Sequence, residues 1–146
     1  MALLGGKEMG QTANGVTLER AQAVVEAARR KAEEIGVPMN IAVVDAGNNL
    51  VAFARMDGAW LGSIDIAQSK AYTARAFDME TKALGKASQP GGPLFGIHAS
   101  NAGRIIIFAG GIPLKDGGGV VAGAVGVSGG TVEQDQEVAE AGASAF

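Results

Sequence analysis

The chain of 146 residues contains no cysteine, which excludes a disulfide framework, a cysteine-ligated zinc or iron–sulfur site and a cysteine nucleophile. Positive charge is also scarce, because 12 lysines and arginines stand against 15 aspartates and glutamates for a net charge of −3. That balance disfavours nucleic acid as a partner. No apolar run approaches the roughly 18 residues of a membrane span, and residues 1–6 are too short and too weakly charged for a signal peptide. We therefore expect a cytoplasmic protein with neither a nucleic-acid nor a membrane partner.

Aromatic residues make up only 5% of the chain, whereas glycine is abundant at 23 positions. No Gly-X-Y period appears, so a collagen is excluded, and an apolar content of 47% argues against disorder. The length corresponds to about one domain. Residues 1–16 show no periodicity and contain four glycines. We therefore predict a flexible N-terminal arm, residues 1–16, followed by a single domain over residues 17–146.

Helical periodicity is clearest between Leu18 and Ile35, where apolar residues recur at spacings of three and four. Thr17 would cap this helix, and Gly36 would end it. A second helix is predicted with Ser63 as its N-cap, and its stripe of small residues would allow close packing on a sheet or on another helix. The final helix is predicted to begin with a T-x-x-Q capping box at Thr131.

Strand-like apolar runs occur five times, and hairpin-type connections join most of them. The sheet should therefore be mainly antiparallel, and helices before, within and after it indicate an α+β domain. A doubly wound nucleotide-binding fold is excluded because strands and helices do not alternate throughout the chain. The predicted strands cover residues 39–44, 50–56, 104–108, 112–114 and 120–127.

His98, the single histidine of the chain, lies in a long Gly/Pro-rich loop over residues 87–103. Loops longer than about 12–15 residues in a compact domain are usually functional or mobile. The imidazole would serve either as an axial ligand to the iron of haem or a related tetrapyrrole, or as an acid–base group. The alternative is a surface histidine without a ligand.

Three charged residues lie at the ends of predicted strands: Asp45 and Arg55 in the first strand pair, and Arg104 at the start of the third strand. Arginine binds carboxylates through paired hydrogen bonds. Arg55 and Arg104 would then hold a small anion, and Asp45 or His98 would be the catalytic residue that moves a proton. Alternatively, these charged residues form ion pairs at the rim of the sheet.

A glycine-rich segment links the last predicted strand to the last helix. Gly129 and Gly130 stand where free backbone N–H groups at a helix start can bind an anion, and the hydroxyls of Ser128 and Thr131 would add contacts. These four residues are therefore candidates for ligand binding. The alternative is that the glycines only permit a tight turn from strand to helix.

Several longer motifs follow one another over nearly the whole chain. They are IAVVD at 41–45, KAYTA at 70–74, GPLFGI at 92–97, RIIIFAGGIPL at 104–114 and GAVGVSGGTVEQD at 123–135. Together these motifs resemble the GlcG/HbpS haem-binding-like family, which includes the C-terminal domain of PduO-type corrinoid adenosyltransferases. The resemblance implies a profilin-like fold, with a five-stranded antiparallel sheet flanked by helices, and assembly into dimers and often octamers.

Some members of this family bind haem, and others accompany catabolic pathways. The leading hypothesis is a small oligomeric protein that binds haem or a related tetrapyrrole as an accessory to a catabolic pathway. The family offers no shared ligand motif that matches this chain, so the assignment of His98 to the iron comes from the residues alone. The alternative function is an enzyme that acts on a small carboxylate or aromatic catabolite by proton transfer or isomerisation. A third hypothesis is an assembly subunit without a ligand.

Overall fold

The computed structural model describes residues 15–146, so residues 1–14 of the predicted N-terminal arm lie outside the described residues. Two single turns of 3-10 helix, Ile97–Ala99 and Asn101–Gly103, lie in the long loop over residues 88–110. The main elements in this part of the chain are α1 Leu18–Ile35, β1 Asn40–Asp45, β2 Leu50–Arg55, α2 Gly62–Phe77, α3 Thr81–Ala87, β3 Gly111–Lys115, β4 Val121–Ser128 and α4 Val132–Ala143.

The helix ends confirm most of the predicted caps. The Thr17 side chain accepts a hydrogen bond from the first turn of α1, and Gly36 ends that helix with a left-handed φ of 75°. Thr131 forms the predicted capping box at the start of α4. The N-cap predicted at Ser63 is wrong, because α2 starts one residue earlier. The Ser63 hydroxyl is buried and accepts a hydrogen bond from Ser128 instead.

The strands of the described residues form one antiparallel sheet in the order β2–β1–β4–β3. The α+β class is therefore confirmed, and the expectation of five strands is wrong. The run at 104–108 does not pair as a strand, because its backbone contacts a side chain of α2. Thr73 Oγ1 accepts a hydrogen bond from the Ile106 N–H at 3.0 Å and lies 3.3 Å from the Arg104 carbonyl oxygen.

One face of the sheet carries the larger apolar core. Because side chains alternate along a strand, Ile41 and Val43 of β1 point to this face, where they pack with residues of α1 and α4. The helix α1 contributes four fully buried residues to the same cluster. The buried residues of this core are Ala21, Val24, Ala28, Ala32, Met39, Ile41, Val43, Ile112, Leu114, Val125, Val127, Val138 and Ala139.

The opposite face of the sheet is covered by α2 at unusually short range. Ala67, Ala71 and Ala74 of the predicted small-residue stripe pack against the sheet. Gly126 in β4 makes this approach possible, since a Cβ added there would lie 2.1 Å from the Ala67 carbonyl oxygen. The stripe is thus an internal contact, and it places the polar side chains of α2 close to β4 and to the loops beside it.

Candidate functional site

The loop that follows α3 presents His98 to solvent. Its position is anchored by a hydrogen bond of 2.9 Å from the Leu94 N–H to the Ala87 carbonyl oxygen at the end of α3. His98 itself is exposed on a 3-10 turn. Its ring meets the ring of Phe95 edge to face, with 6.4 Å between the centroids. An accessible imidazole therefore stands beside exposed apolar side chains.

Arg104 lies further along the same loop, at the edge of a small polar pocket. Its guanidinium is stacked 3.9 Å from the centre of the Tyr72 ring. Arg104 Nη2 donates to the Tyr72 hydroxyl at 3.0 Å, and Nε donates to the Asn101 carbonyl oxygen at 3.2 Å. The Tyr72 hydroxyl in turn donates to Asn101 Oδ1 at 3.0 Å. This network fixes the arginine in one orientation.

The hairpin between β1 and β2 forms another wall of that pocket. Asp45 is committed to the turn, because its Oδ1 accepts hydrogen bonds from the N–H groups of Gly47 and Asn49 at 3.0 and 2.9 Å. Asn48 has a left-handed φ of 65°. Its Nδ2 donates to the Tyr72 carbonyl oxygen at 3.0 Å. The hairpin thus brings Asn48, and not the Asp45 carboxylate, to the wall of the pocket.

Arg55 lies at the other end of the β1–β2 pair, where it is the partner of Asn40 in the antiparallel register. It lines a separate cleft with Arg29 and Glu33. The structure therefore brings the hairpin of Asp45 close to Arg104 but does not bring Arg55 and Arg104 together. Nothing in the sequence indicated that Arg104 lies in a loop beside the β1–β2 hairpin, whereas Arg55 lies at the opposite end of that strand pair.

The donors at the start of α4 are already used inside the protein. The Gly130 N–H donates to Asp135 Oδ1 at 2.9 Å, and the Thr131 N–H donates to the Gln134 side chain at 3.0 Å. Ser128 is buried against Ser63 at 3.1 Å between the two hydroxyl oxygens. Because a carboxylate of the chain occupies the place of an anion, this geometry favours the tight-turn interpretation of the glycines.

That carboxylate belongs to a buried ion pair that sequence analysis did not predict. Lys70 of α2 is completely buried, and its Nζ lies 2.8 Å from both Asp135 Oδ2 and the Val127 carbonyl oxygen. Burial lowers the pKa of Lys70 and raises the pKa of Asp135, while their mutual attraction opposes both shifts. The one available signal was helical spacing, since Lys70 follows Ala67 by three residues on the packed face of α2.

A larger groove of about 480 Å³ lies between α3 and α4. Its apolar side chains are Ile107, Ala109 and Val132, one wall carries lysines of α3, and the other carries glutamates of α4. His98 does not line this groove. The charged residues along it are Lys82, Lys86, Glu133, Glu137 and Glu140.

The described residues contain neither a cluster of metal ligands nor a membrane-spanning helix. Within residues 15–146, no group of three or more histidine, aspartate or glutamate side chains is arranged to hold a metal ion. None of the helices in the same part of the chain has both the length and the apolar character needed to cross a membrane.

Known proteins resemble this chain over almost its whole length. A protein of 15.0 kDa from the dhaT-dhaS intergenic region of Citrobacter freundii is 46% identical over 131 residues, which cover 90% of this chain and 92% of the relative. The crystal structure of Klebsiella pneumoniae protein ORFY superposes with a TM-score of 0.87 at 44% identity, covering 90% of both chains. The crystal structure of the PduOC:heme complex gives a TM-score of 0.86 at 32% identity, covering 90% of this chain and 95% of that one.

The family model described as haem degrading protein HbpS-like matches residues 16–144. This range includes every strand and helix of the described structure and all the motifs on which the resemblance depended. The chain therefore belongs to the HbpS-like family.

Proposed function

We propose that this protein binds haem or a related tetrapyrrole at the exposed loop that carries His98. The observation that carries the proposal is the solved complex of PduOC with heme. PduOC is 32% identical to this chain, and the match covers 90% of this chain. The membership of the chain in the HbpS-like family supports the same ligand class.

The side chains around His98 fit a flat, largely apolar ligand with a metal at its centre. Histidine is a common axial ligand of haem iron, and His98 is exposed to an incoming ligand. Leu94 and Phe95, 40% and 62% exposed, offer apolar surface to one face of the ring system. When bound, haem supplies a redox-active iron whose potential depends on its axial ligand.

The groove between α3 and α4 is a weaker candidate for this ligand. It offers apolar surface and two lysines, but neither histidine nor methionine lines it. Its glutamates would also repel the carboxylates that a haem carries at its edge. The loop of His98 supplies the nitrogen ligand that the groove lacks, so we assign the iron to His98.

Titration of the protein with haemin tests this assignment. We expect the wild type to shift and sharpen the Soret band of haemin, and His98→Ala to change or abolish that shift. Phe95→Ser should weaken binding without moving the band, because it removes apolar contact and leaves the axial ligand. Met79→Ala, which removes an exposed thioether outside the loop, is the matched control and should match the wild type.

Two outcomes would contradict the proposal. Identical spectra and affinities for the wild type and His98→Ala would remove His98 from the site. A Soret band that stays identical to that of free haemin when the wild type is added would overturn haem binding altogether. Circular dichroism of each variant would show that the fold is retained.

The same proposal includes self-association and an accessory role in a cytoplasmic catabolic pathway. Trp60 and Leu61, 64% and 70% exposed, form an apolar surface just before α2 that a second copy would cover. Light scattering should then give the mass of a dimer or octamer, and Trp60→Ser should reduce it. A monomeric wild type at micromolar concentration would contradict self-association.

The alternative, an enzyme acting on a small carboxylate, finds partial support in the polar pocket at Arg104. Asp45 and His98, the residues expected to move a proton, do not line that pocket. Arg55, the second expected anion ligand, lies in a different cleft. The geometry therefore supports binding of a small molecule at Arg104 more strongly than it supports catalysis there.

A further inference from the structure

A small polar pocket is enclosed by the β1–β2 hairpin, one side of α2 and the loop residue Arg104. Its volume is about 220 Å³, below the roughly 300–1,000 Å³ of sites for drug-sized ligands. A tetrapyrrole is too large for it, and His98 does not line it. Its lining residues are Val44, Asn48, Leu50, Asp65, Gln68, Ser69, Tyr72 and Arg104.

Two opposite charges face this pocket without pairing. Asp65 and Arg104 both line it, yet neither forms a salt bridge within residues 15–146, where seven other ion contacts are formed. The hydrogen bonds of Arg104 go to the neutral oxygens of Tyr72 and Asn101. Within the described residues, no carboxylate therefore lies within 4.0 Å of its guanidinium nitrogens.

The pocket also contains an acceptor without a donor. The side-chain oxygen of Asn48 is buried and has no hydrogen-bond partner, while its nitrogen is held by the Tyr72 carbonyl oxygen. Buried polar atoms are normally paired, so an unpaired one requires an explanation. Because the oxygen has almost no accessible surface, a ligand donor would reach it only after the Asn48 side chain had turned toward the pocket.

Left-handed backbone conformations are concentrated around the same pocket. Four residues other than glycine have a positive φ in the described structure, and three of them belong to the hairpin or to the loop that fixes Arg104: Asn48, Asn101 and Ala102 at 65°, 51° and 57°. Alanine gains nothing from this conformation, because its side chain cannot form a compensating hydrogen bond. Strain of this kind is found at binding sites that hold groups in place for a ligand.

We propose that this pocket binds a small zwitterion of the amino-acid class. Its carboxylate would pair with the guanidinium of Arg104, which is held ready by Tyr72. Its ammonium would pair with the carboxylate of Asp65. A ligand with only one of these charges would leave the opposite charge of the pocket unpaired.

Nuclear magnetic resonance titration of the protein with the twenty standard amino acids tests the proposal. At least one should give saturable shifts of amides in the β1–β2 hairpin and in residues 100–106. The analogue of the tightest binder without its amino group, and the analogue without its carboxylate, should each bind about tenfold more weakly or worse, since each loses one charge-assisted contact.

Charge-removing variants locate the ligand in the pocket. Arg104→Gln should abolish binding of the carboxylate-only analogue, and Asp65→Asn should abolish binding of the amine-only analogue. Both variants should bind the amino acid at least about tenfold more weakly. Arg55→Gln, which removes an exposed arginine from the other end of the strand pair, should bind like the wild type.

Each result supports or overturns the proposal. Absence of saturable binding for every amino acid overturns the site, and a carboxylate-only analogue that binds as tightly as the amino acid overturns the zwitterion class. The haemin titration of Asp65→Asn should match the wild type. Failure of the haem proposal is therefore distinguishable from failure of this one.

Discussion

The buried pair Lys70–Asp135 and the polar pocket of Arg104 and Asp65 handle opposite charges in two different ways. In the first, the two side chains meet at 2.8 Å and are almost completely buried. In the second, the charges share an open pocket and do not pair within the described residues. The first arrangement holds α2 to α4, and the second keeps its charges available. Charge alone therefore does not mark a binding site, and the two arrangements differ in whether the protein itself neutralises the charges.

Breaking the buried pair should give the largest effect on stability. Lys70→Met keeps the unbranched shape of the side chain but leaves Asp135 buried without its partner, so we expect a loss of about 3–5 kcal/mol in the free energy of unfolding. Urea denaturation measures this loss. Arg104→Gln is the matched control, because an exposed stacked arginine contributes about 1 kcal/mol or less. Equal stability of the two variants would contradict the structural role of the pair.

The close packing that buries Lys70 can be disturbed without removing a charge. Gly126→Ala would place a methyl group 2.1 Å from the backbone oxygen of Ala67, so α2 must move, at a cost of about 1–3 kcal/mol. Gly117→Ala is the control, since a Cβ at Gly117 meets nothing within 4 Å. The midpoint of thermal unfolding should be clearly lower for Gly126→Ala than for Gly117→Ala. Similar midpoints would show that α2 can be displaced without loss of stability.

The smallest effect concerns the pH dependence of the buried pair. Burial raises the pKa of Asp135 above its ordinary value of 3.8, so the folded protein keeps this proton at a pH where the unfolded chain has lost it. The contribution of Asp135 to stability is therefore largest below 3.8 and falls as the pH rises through the raised pKa. Lys70, whose pKa burial lowers, acts in the opposite sense in the alkaline range.

Asp135→Asn removes this titration and provides the reference. The stability advantage of the wild type over Asp135→Asn should decrease as the pH rises above 3.8, the ordinary pKa of an aspartate, in urea denaturation. Other carboxylates contribute equally to both proteins and cancel in the difference. An advantage that grows as the pH rises would show that attraction to Lys70 outweighs burial.

Prediction from the sequence succeeded mostly where the interacting residues are close along the chain. The helix caps at Thr17 and Thr131 depend on residues three positions away, although the cap predicted at Ser63 was wrong. The run at 104–108 has the composition of a buried strand, but a Thr73 hydroxyl in α2 takes its backbone bonds. Apolar composition indicates that a segment is buried, but it does not indicate which group forms hydrogen bonds with the backbone of that segment.

The candidate site was predictable only in part. Arg104 was identified as an anion ligand, but its stacking on Tyr72 depends on residues 32 positions apart. Asp65 and Asn48 carried no signal, because a surface aspartate and a turn asparagine are common in any chain. Arg55 was grouped with Arg104 because both are at ends of predicted strands, whereas Arg104 lies in a loop beside the β1–β2 hairpin and Arg55 lies at the opposite end of that strand pair.

The sequence by itself determined the composition class, the main helices, the antiparallel α+β character and the family. These properties follow from periodicity, capping and turn residues, whose energies act over a few positions of the chain. Only the tertiary structure decided that Lys70 meets Asp135 across 65 positions and that Arg104 and Asp65 share a pocket without meeting. Such pairings depend on how α2 packs on the sheet, and a difference of a few ångströms separates a neutralised charge from one that can bind a ligand.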